Sequence, residues 1–199
     1  MLLHHLSPIA LQGKYMSSMT EEEFFHFCQE NKQLRIERNY SGQIIIMSPT
    51  NSKTSLLNSR LNFLLNTWNY QHKKGFVFDS NGGFTLPDSS VFAPDVAWVS
   101  LKKWQALTEE EKEKFAPICP EFVVELRSKT DVLKTLKEKM VQWIDNGVLL
   151  AWLIDPAQKK THVYRQDGSI EIVEGFDQTL SGEKVLEGFE LDLAELIAE

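Results

Sequence analysis

Residues 121–155 read EFVVELRSKTDVLKTLKEKMVQWIDNGVLLAWLID, and this stretch decides the fold. Over Phe122 to Arg127 the side chains of a strand alternate. Phe122, Val124 and Leu126 take one face, and Val123, Glu125 and Arg127 take the other. Leu133, Leu136, Met140, Trp143 and Ile144 then recur at helical spacing, with Asp131 as the expected N-cap and Gly147 as the stop. Val148 to Ile154 is almost wholly apolar, as a central strand covered on both faces must be.

The flanks extend the pattern. Thr20 to Glu23 has capping-box spacing and opens a short helix. Leu34 to Arg38 and Gln43 to Met47 read as a hairpin around Tyr40-Ser41-Gly42. Ser52 to His72 carries Leu57, Leu61, Leu64, Leu65 and Trp68 at helical spacing, with Gly75 as the expected stop. Phe76 to Asp79, Gly83 to Leu86 and Asp95 to Val99 read as strands, and Thr108 to Glu111 as a second capping box. Asp167-Gly168 marks a hairpin between Thr161 to Arg165 and Ser169 to Val173. The whole reads as α/β: a mixed sheet flanked by helices, with hairpins at both ends. Residues 1–19, including His4 and His5, are expected as an N-terminal arm, and residues 20–199 as a single domain.

Composition limits what such a domain does. The 199 residues carry 28 acidic and 21 basic side chains, a net charge of −7. Whole-surface attraction for nucleic acid is thereby excluded, although a local basic groove is not. Cys28 and Cys119 match no close-spaced metal or redox motif and are expected as free thiols. The N-terminal segment lacks a basic n-region and carries Pro8 in its apolar stretch, and no apolar run reaches bilayer length. A cytoplasmic protein without membrane association is expected.

Two carboxylates stand out. Pro94-Asp95 opens one strand and Glu125 lies near the end of another, with Arg127 on the same face as Glu125. Carboxylates at adjacent strand ends suit a hard divalent ion, which needs one or two such oxygens and keeps the rest of its shell for water and substrate phosphate. On spacing alone the commoner reading is a cap residue at Asp95 and a surface ion pair between Glu125 and Arg127. Lys139 lies on the flank of the apolar helical stripe, where its stem can run along the sheet and deliver the ammonium to its edge. Solvation of the helix by Lys134, Lys137 and Lys139 is the competing reading. His26, His72 and His162 are scattered and accompany no nucleophile motif, so a hydrolytic triad is rejected.

Taken in order, these residues resemble a known family. Glu125-Leu126-Arg127-Ser128, Asp131, Lys139-x-x-x-Trp143, Gly147-Val148 and Ala151-Trp152-Leu153-Ile154-Asp155-Pro156 are similar to the Uma-two family of restriction endonuclease-like proteins, which have the PD-(D/E)XK nuclease fold. Gly42 to Pro49 and Pro94-Asp95-Val96-Ala97 match its other signatures, over about residues 20 to 165. The resemblance implies that Asp95 is the aspartate of the PD element and Glu125 the acidic residue of (D/E)XK. It implies Lys139 as the displaced lysine and Glu37 as a further acidic ligand. Arg127 stands where lysine is usual; an arginine stays protonated and holds phosphate but does not serve as a base. Trp143 stands where the family usually has tyrosine, and residues 51–55 lack a histidine often found there.

The expected function is divalent-metal-dependent endonucleolytic hydrolysis of DNA. Asp95 and Glu125, with Glu37, would hold Mg²⁺ or Mn²⁺; Lys139 would orient water and Arg127 the scissile phosphate. A nuclease-fold binding module without turnover, or a structure-specific nuclease acting on RNA or branched DNA, shares the same motifs. Cutting both strands of a duplex suits a homodimer.

Overall fold

A computed structural model describes residues 8–198, so His4 and His5 lie outside the described residues. The chain opens with β1 (Ile9–Leu11), the single turn α1 (Lys14–Ser17), α2 (Glu21–Glu30), β2 (Arg35–Arg38) and β3 (Ile44–Met47). Both halves of the Thr20–Glu23 capping box form. β2 and β3 make the expected antiparallel hairpin, and β1, within the segment read as an arm, pairs with β3. Three residues are too few for β1 to show a period.

α3 (Ser52–His72) is capped by the Asn51 side chain and stops at Lys73, whose φ of 53° is left-handed. Gly75, expected as the stop, instead opens β4 (Gly75–Asp79). There a Cβ would lie 2.3 Å from the carbonyl oxygen of Val99 and against the Trp98 ring, so close approach of two backbones requires glycine. β5 (Phe84–Thr85), β6 (Val91–Phe92), β7 (Val96–Ser100), α4 (Leu101–Gln105) and α5 (Glu109–Lys112) follow.

The deciding stretch then folds as β8 (Phe122–Leu126), α6 (Leu133–Asp145) and β9 (Leu150–Asp155). α6 begins without a side-chain cap, after Val132. The Asp131 carboxylate, expected there, accepts the Ser128 N–H instead and closes the turn that leads in. Asx turns and N-caps use the same side-chain chemistry, so sequence alone does not separate them. β10 (Lys160–Arg165), β11 (Ile170–Glu174), β12 (Thr179–Ser181), β13 (Glu190–Asp192) and α7 (Leu193–Ile197) complete the chain.

Six strands form one sheet in the order β11-β10-β9-β8-β7-β4, and five form another in the order β1-β3-β2-β6-β5. β8 and β9 are parallel, joined through α6, while β7 runs antiparallel to β8. Side-chain alternation divides the core. Phe122, Val124, Leu126, Leu150, Trp152 and Ile154 pack with α3 and α7, while Val123, Ala151 and Leu153 pack with Met140 and Trp143 of α6. Under the five-stranded sheet, Phe24 of α2 packs on Ile36, Ile44 and Val91. No helix is long and apolar enough to cross a membrane among the described residues.

Candidate active site

The alternation that buries Phe122, Val124 and Leu126 turns Glu125 toward α6. It is 5% exposed, and its Oε1 accepts the Trp143 indole N–H at 3.0 Å. One helical turn before Trp143 on α6, Lys139 reaches the same oxygen, with Nζ 2.9 Å away. The ammonium also donates to Glu37 Oε1 at 2.9 Å, so one lysine joins a carboxylate from each of the two large sheets. Its Nζ stands 5.2 Å from the centre of the Phe92 ring. The stem thus runs along the α6 side of the sheet and ends between two acids.

Glu37 is 2% exposed on β2 and also accepts the backbone N–H of Ala93 at 3.1 Å. Two residues on, Asp95 immediately precedes β7. Val96 faces Val124 in the register, which brings Asp95 level with Glu125. Asp95 Oδ2 accepts the Leu126 N–H at 2.7 Å, and Oδ1 accepts Asn58 Nδ2 at 2.9 Å. Arg35 Nη1 stands 3.9 Å from Oδ1. Asn58 Oδ1 is buried and has no hydrogen-bond partner.

Burial and charge set the protonation states. Burial pushes the Glu125 carboxyl up to about 7; Lys139 opposes this, while Asp95 and Glu37 add to it. Burial also raises Asp95, against the Leu126 N–H and the Arg35 and Lys139 charges. For Lys139 burial alone favours the neutral amine, but Glu125 and Glu37 together outweigh it and hold the ammonium above the usual lysine range. The lysine is therefore a fixed cation at neutral pH and the Glu125 carboxyl titrates close to neutrality.

The structure thus brings together Glu37, Asp95, Glu125 and Lys139. It places Arg127 elsewhere: its guanidinium pairs with Asp155 at the end of β9, and its Nε donates to the Asp131 carbonyl. Asp155 is fully buried, and its other oxygen accepts the N–H groups of Ala157 and Gln158. Arg127 and Asp155 together tie the end of β8 to the turn after β9. Sequence reading missed Asn58 and Arg35. Arg35 shares a strand face with Glu37, a signal that was present. Asn58 carried none, because its role depends on how α3 lies against the sheet. Burial pushes the thiols of Cys28 and Cys119 up to about 11 and about 12, so neither is a nucleophile at neutral pH.

A donor test bears on the metal. Among the described residues no three His, Cys, Asp or Glu side chains gather as a metal-holding group. Two carboxylates, as at Asp95 and Glu125, are the kind of donor set that suits a hard ion that keeps much of its water.

A mixed sheet with a parallel crossover at its centre, flanked by helices, is the architecture of the restriction endonuclease-like fold. The chain belongs to the Uma2 family: the family model, described as "Putative restriction endonuclease", matches residues 21–194. A crystal structure described as "a putative nuclease belonging to DUF820 from Anabaena variabilis" is similar, with a TM-score of 0.74 and 19% identity. The match covers 90% of this chain and 97% of that one, and carries the fold alone. No curated protein gives a match.

Proposed function

We propose that the protein is a divalent-metal-dependent endonuclease that hydrolyses phosphodiester bonds in DNA. The carrying observation is the Lys139 ammonium, 2.9 Å from both Glu37 and Glu125, beside the Asp95 carboxylate. Asp95 and Glu125 would hold Mg²⁺ or Mn²⁺; Asn58, which donates to Asp95 Oδ1, has a buried oxygen of its own without a partner. When bound, such an ion acidifies water and neutralises charge developing on a phosphoryl oxygen.

The chain's own groups have separable parts in this reading. Lys139, held as a cation, orients the attacking water and stabilises negative charge; it has no free pair to act as a base. Glu37 keeps Lys139 charged and in place, so its part is exerted through the lysine rather than as a ligand. Trp143 donates to Glu125 Oε1 and fixes the orientation of the carboxylate that would hold the ion. An indole is a donor only and does not itself titrate.

Cleavage of supercoiled plasmid, linear duplex, single-stranded and branched DNA, and RNA, with Mg²⁺ and with Mn²⁺, tests the proposal. Cleavage should require the ion and disappear in D95N and E125Q purified identically. A D95N protein that cuts as fast as the parent overturns the site assignment. Parent and variants indistinguishable on every substrate would favour the binding module without turnover.

A further inference from the structure

Phosphodiester hydrolysis needs a cation that the substrate phosphate can reach. Lys139 has two carboxylates on its ammonium, and Arg127 is committed to the buried carboxylate of Asp155. Arg35 is differently placed. It shares a face of β2 with Glu37, two residues on. Its Nη2 donates to the Ala93 carbonyl at 2.8 Å, while the Ala93 N–H bonds Glu37, so β2 grips the segment leading to Asp95 at both polar groups of one residue. The Arg35 side chain is 33% exposed, and its Nη1 is 3.9 Å from Asp95 Oδ1, beyond a direct hydrogen bond. Its Nε is buried with no partner. A guanidinium presents five donors in a planar fork matched to phosphate oxygens, and here Nη1 of the partly exposed side chain faces Asp95 without a direct hydrogen bond.

We propose that Arg35, rather than Arg127, is the residue of this site that binds the substrate's phosphate. The proposal rests on the nuclease reading and deepens it. Arg35 has two partners now, a carbonyl and a distant carboxylate, and neither neutralises it in full. A phosphate placed between Arg35 and Asp95 would draw on the donors left over, and the Ala93 bond would keep the fork in its plane. Arg127 by contrast gives up a buried ion pair if it turns to substrate, a loss of a kind proteins pay heavily for.

Salt dependence separates a phosphate contact from a structural role. Each phosphate neutralised by the protein releases counterions, so losing one contact lowers the slope of log affinity against log salt by about one. Binding of a labelled DNA duplex and a labelled single strand is measured by anisotropy in EDTA, across a salt series. The proteins compared are the parent, R35Q, R35K and R127Q, each checked for a cooperative melt. R35Q should weaken binding about tenfold and lower the slope by about one. R35K should keep the slope, because the charge remains, and bind more weakly than the parent for want of the fork. R127Q should keep the parent slope and melt at a lower temperature. An R35Q slope equal to the parent's overturns the proposal, as does loss of slope in R127Q alone. Should R35Q fail to fold, R35K decides: affinity equal to the parent's overturns the proposal. A parent that binds neither probe but cleaves with metal overturns the proposal alone. A parent that neither binds nor cleaves overturns the nuclease reading and this proposal with it.

Discussion

Glu125 is where burial and charge oppose each other most directly. Burial raises its carboxyl to about 7, while the Lys139 ammonium 2.9 Å away favours ionisation. In the unfolded chain the same group titrates near 4.5. The folded state therefore holds this proton more tightly, and the contribution to stability is fully present below pH 4.5 and is lost as pH rises through 7. Glutamine keeps an acceptor for Lys139 and Trp143 but has no proton to lose. Urea unfolding of parent and E125Q should show the difference moving in favour of the variant between acid and mildly alkaline pH. The expected movement is on the order of 1–3 kcal/mol. A difference that stays constant across that range contradicts the assigned protonation state. At this scale alternation and helical spacing left Asp95, Glu125 and Lys139 open between a site and a cap, a surface pair and a solvated face, and the ordered motifs of the family resemblance singled them out. The sequence left Asn58 hidden: its contact with Asp95 spans 37 residues and follows from docking of α3.

Among the elements, β8, α6 and β9 were read almost residue for residue, since a period of two and a stripe at 3.6 are strong signals over such lengths. β1 and β6 have three and two residues, and no period survives in so few; each pairs with a strand far along the chain, β3 and β2. β5, which falls within the strand read over Gly83 to Leu86, pairs with β6. Gly75 illustrates the other limit, where a glycine that looks like a helix stop is required by the neighbouring strand. A Cβ at Gly75 meets the backbone oxygen of Val99, whereas one at Gly13 meets nothing within 4 Å. G75A should cost about 1–3 kcal/mol or more, as overpacking against a fixed backbone does, while G13A stays close to the parent. Thermal melts of the two proteins check this. Equal melting temperatures would mean that β4 and β7 do not approach as closely as described.

For the molecule as a whole, the site is a seam. Glu37 belongs to the five-stranded sheet, Glu125 to the six-stranded sheet, and Lys139 crosses from α6 to hold both. Any loosening between the two sheets therefore separates the acids that hold the lysine. The net charge of −7 leaves no global attraction for a polyanion, so under the proposed function recognition of substrate would fall to local cations and to a bound ion. The measurement that bears most directly on this account is a calorimetric Mn²⁺ titration of the parent, D95N and E125Q in the absence of substrate. The account predicts saturable binding by the parent, with proton release at neutral pH as Glu125 ionises, and loss of that binding in both variants. Binding retained unchanged in D95N and E125Q, or no binding by the parent, would contradict it.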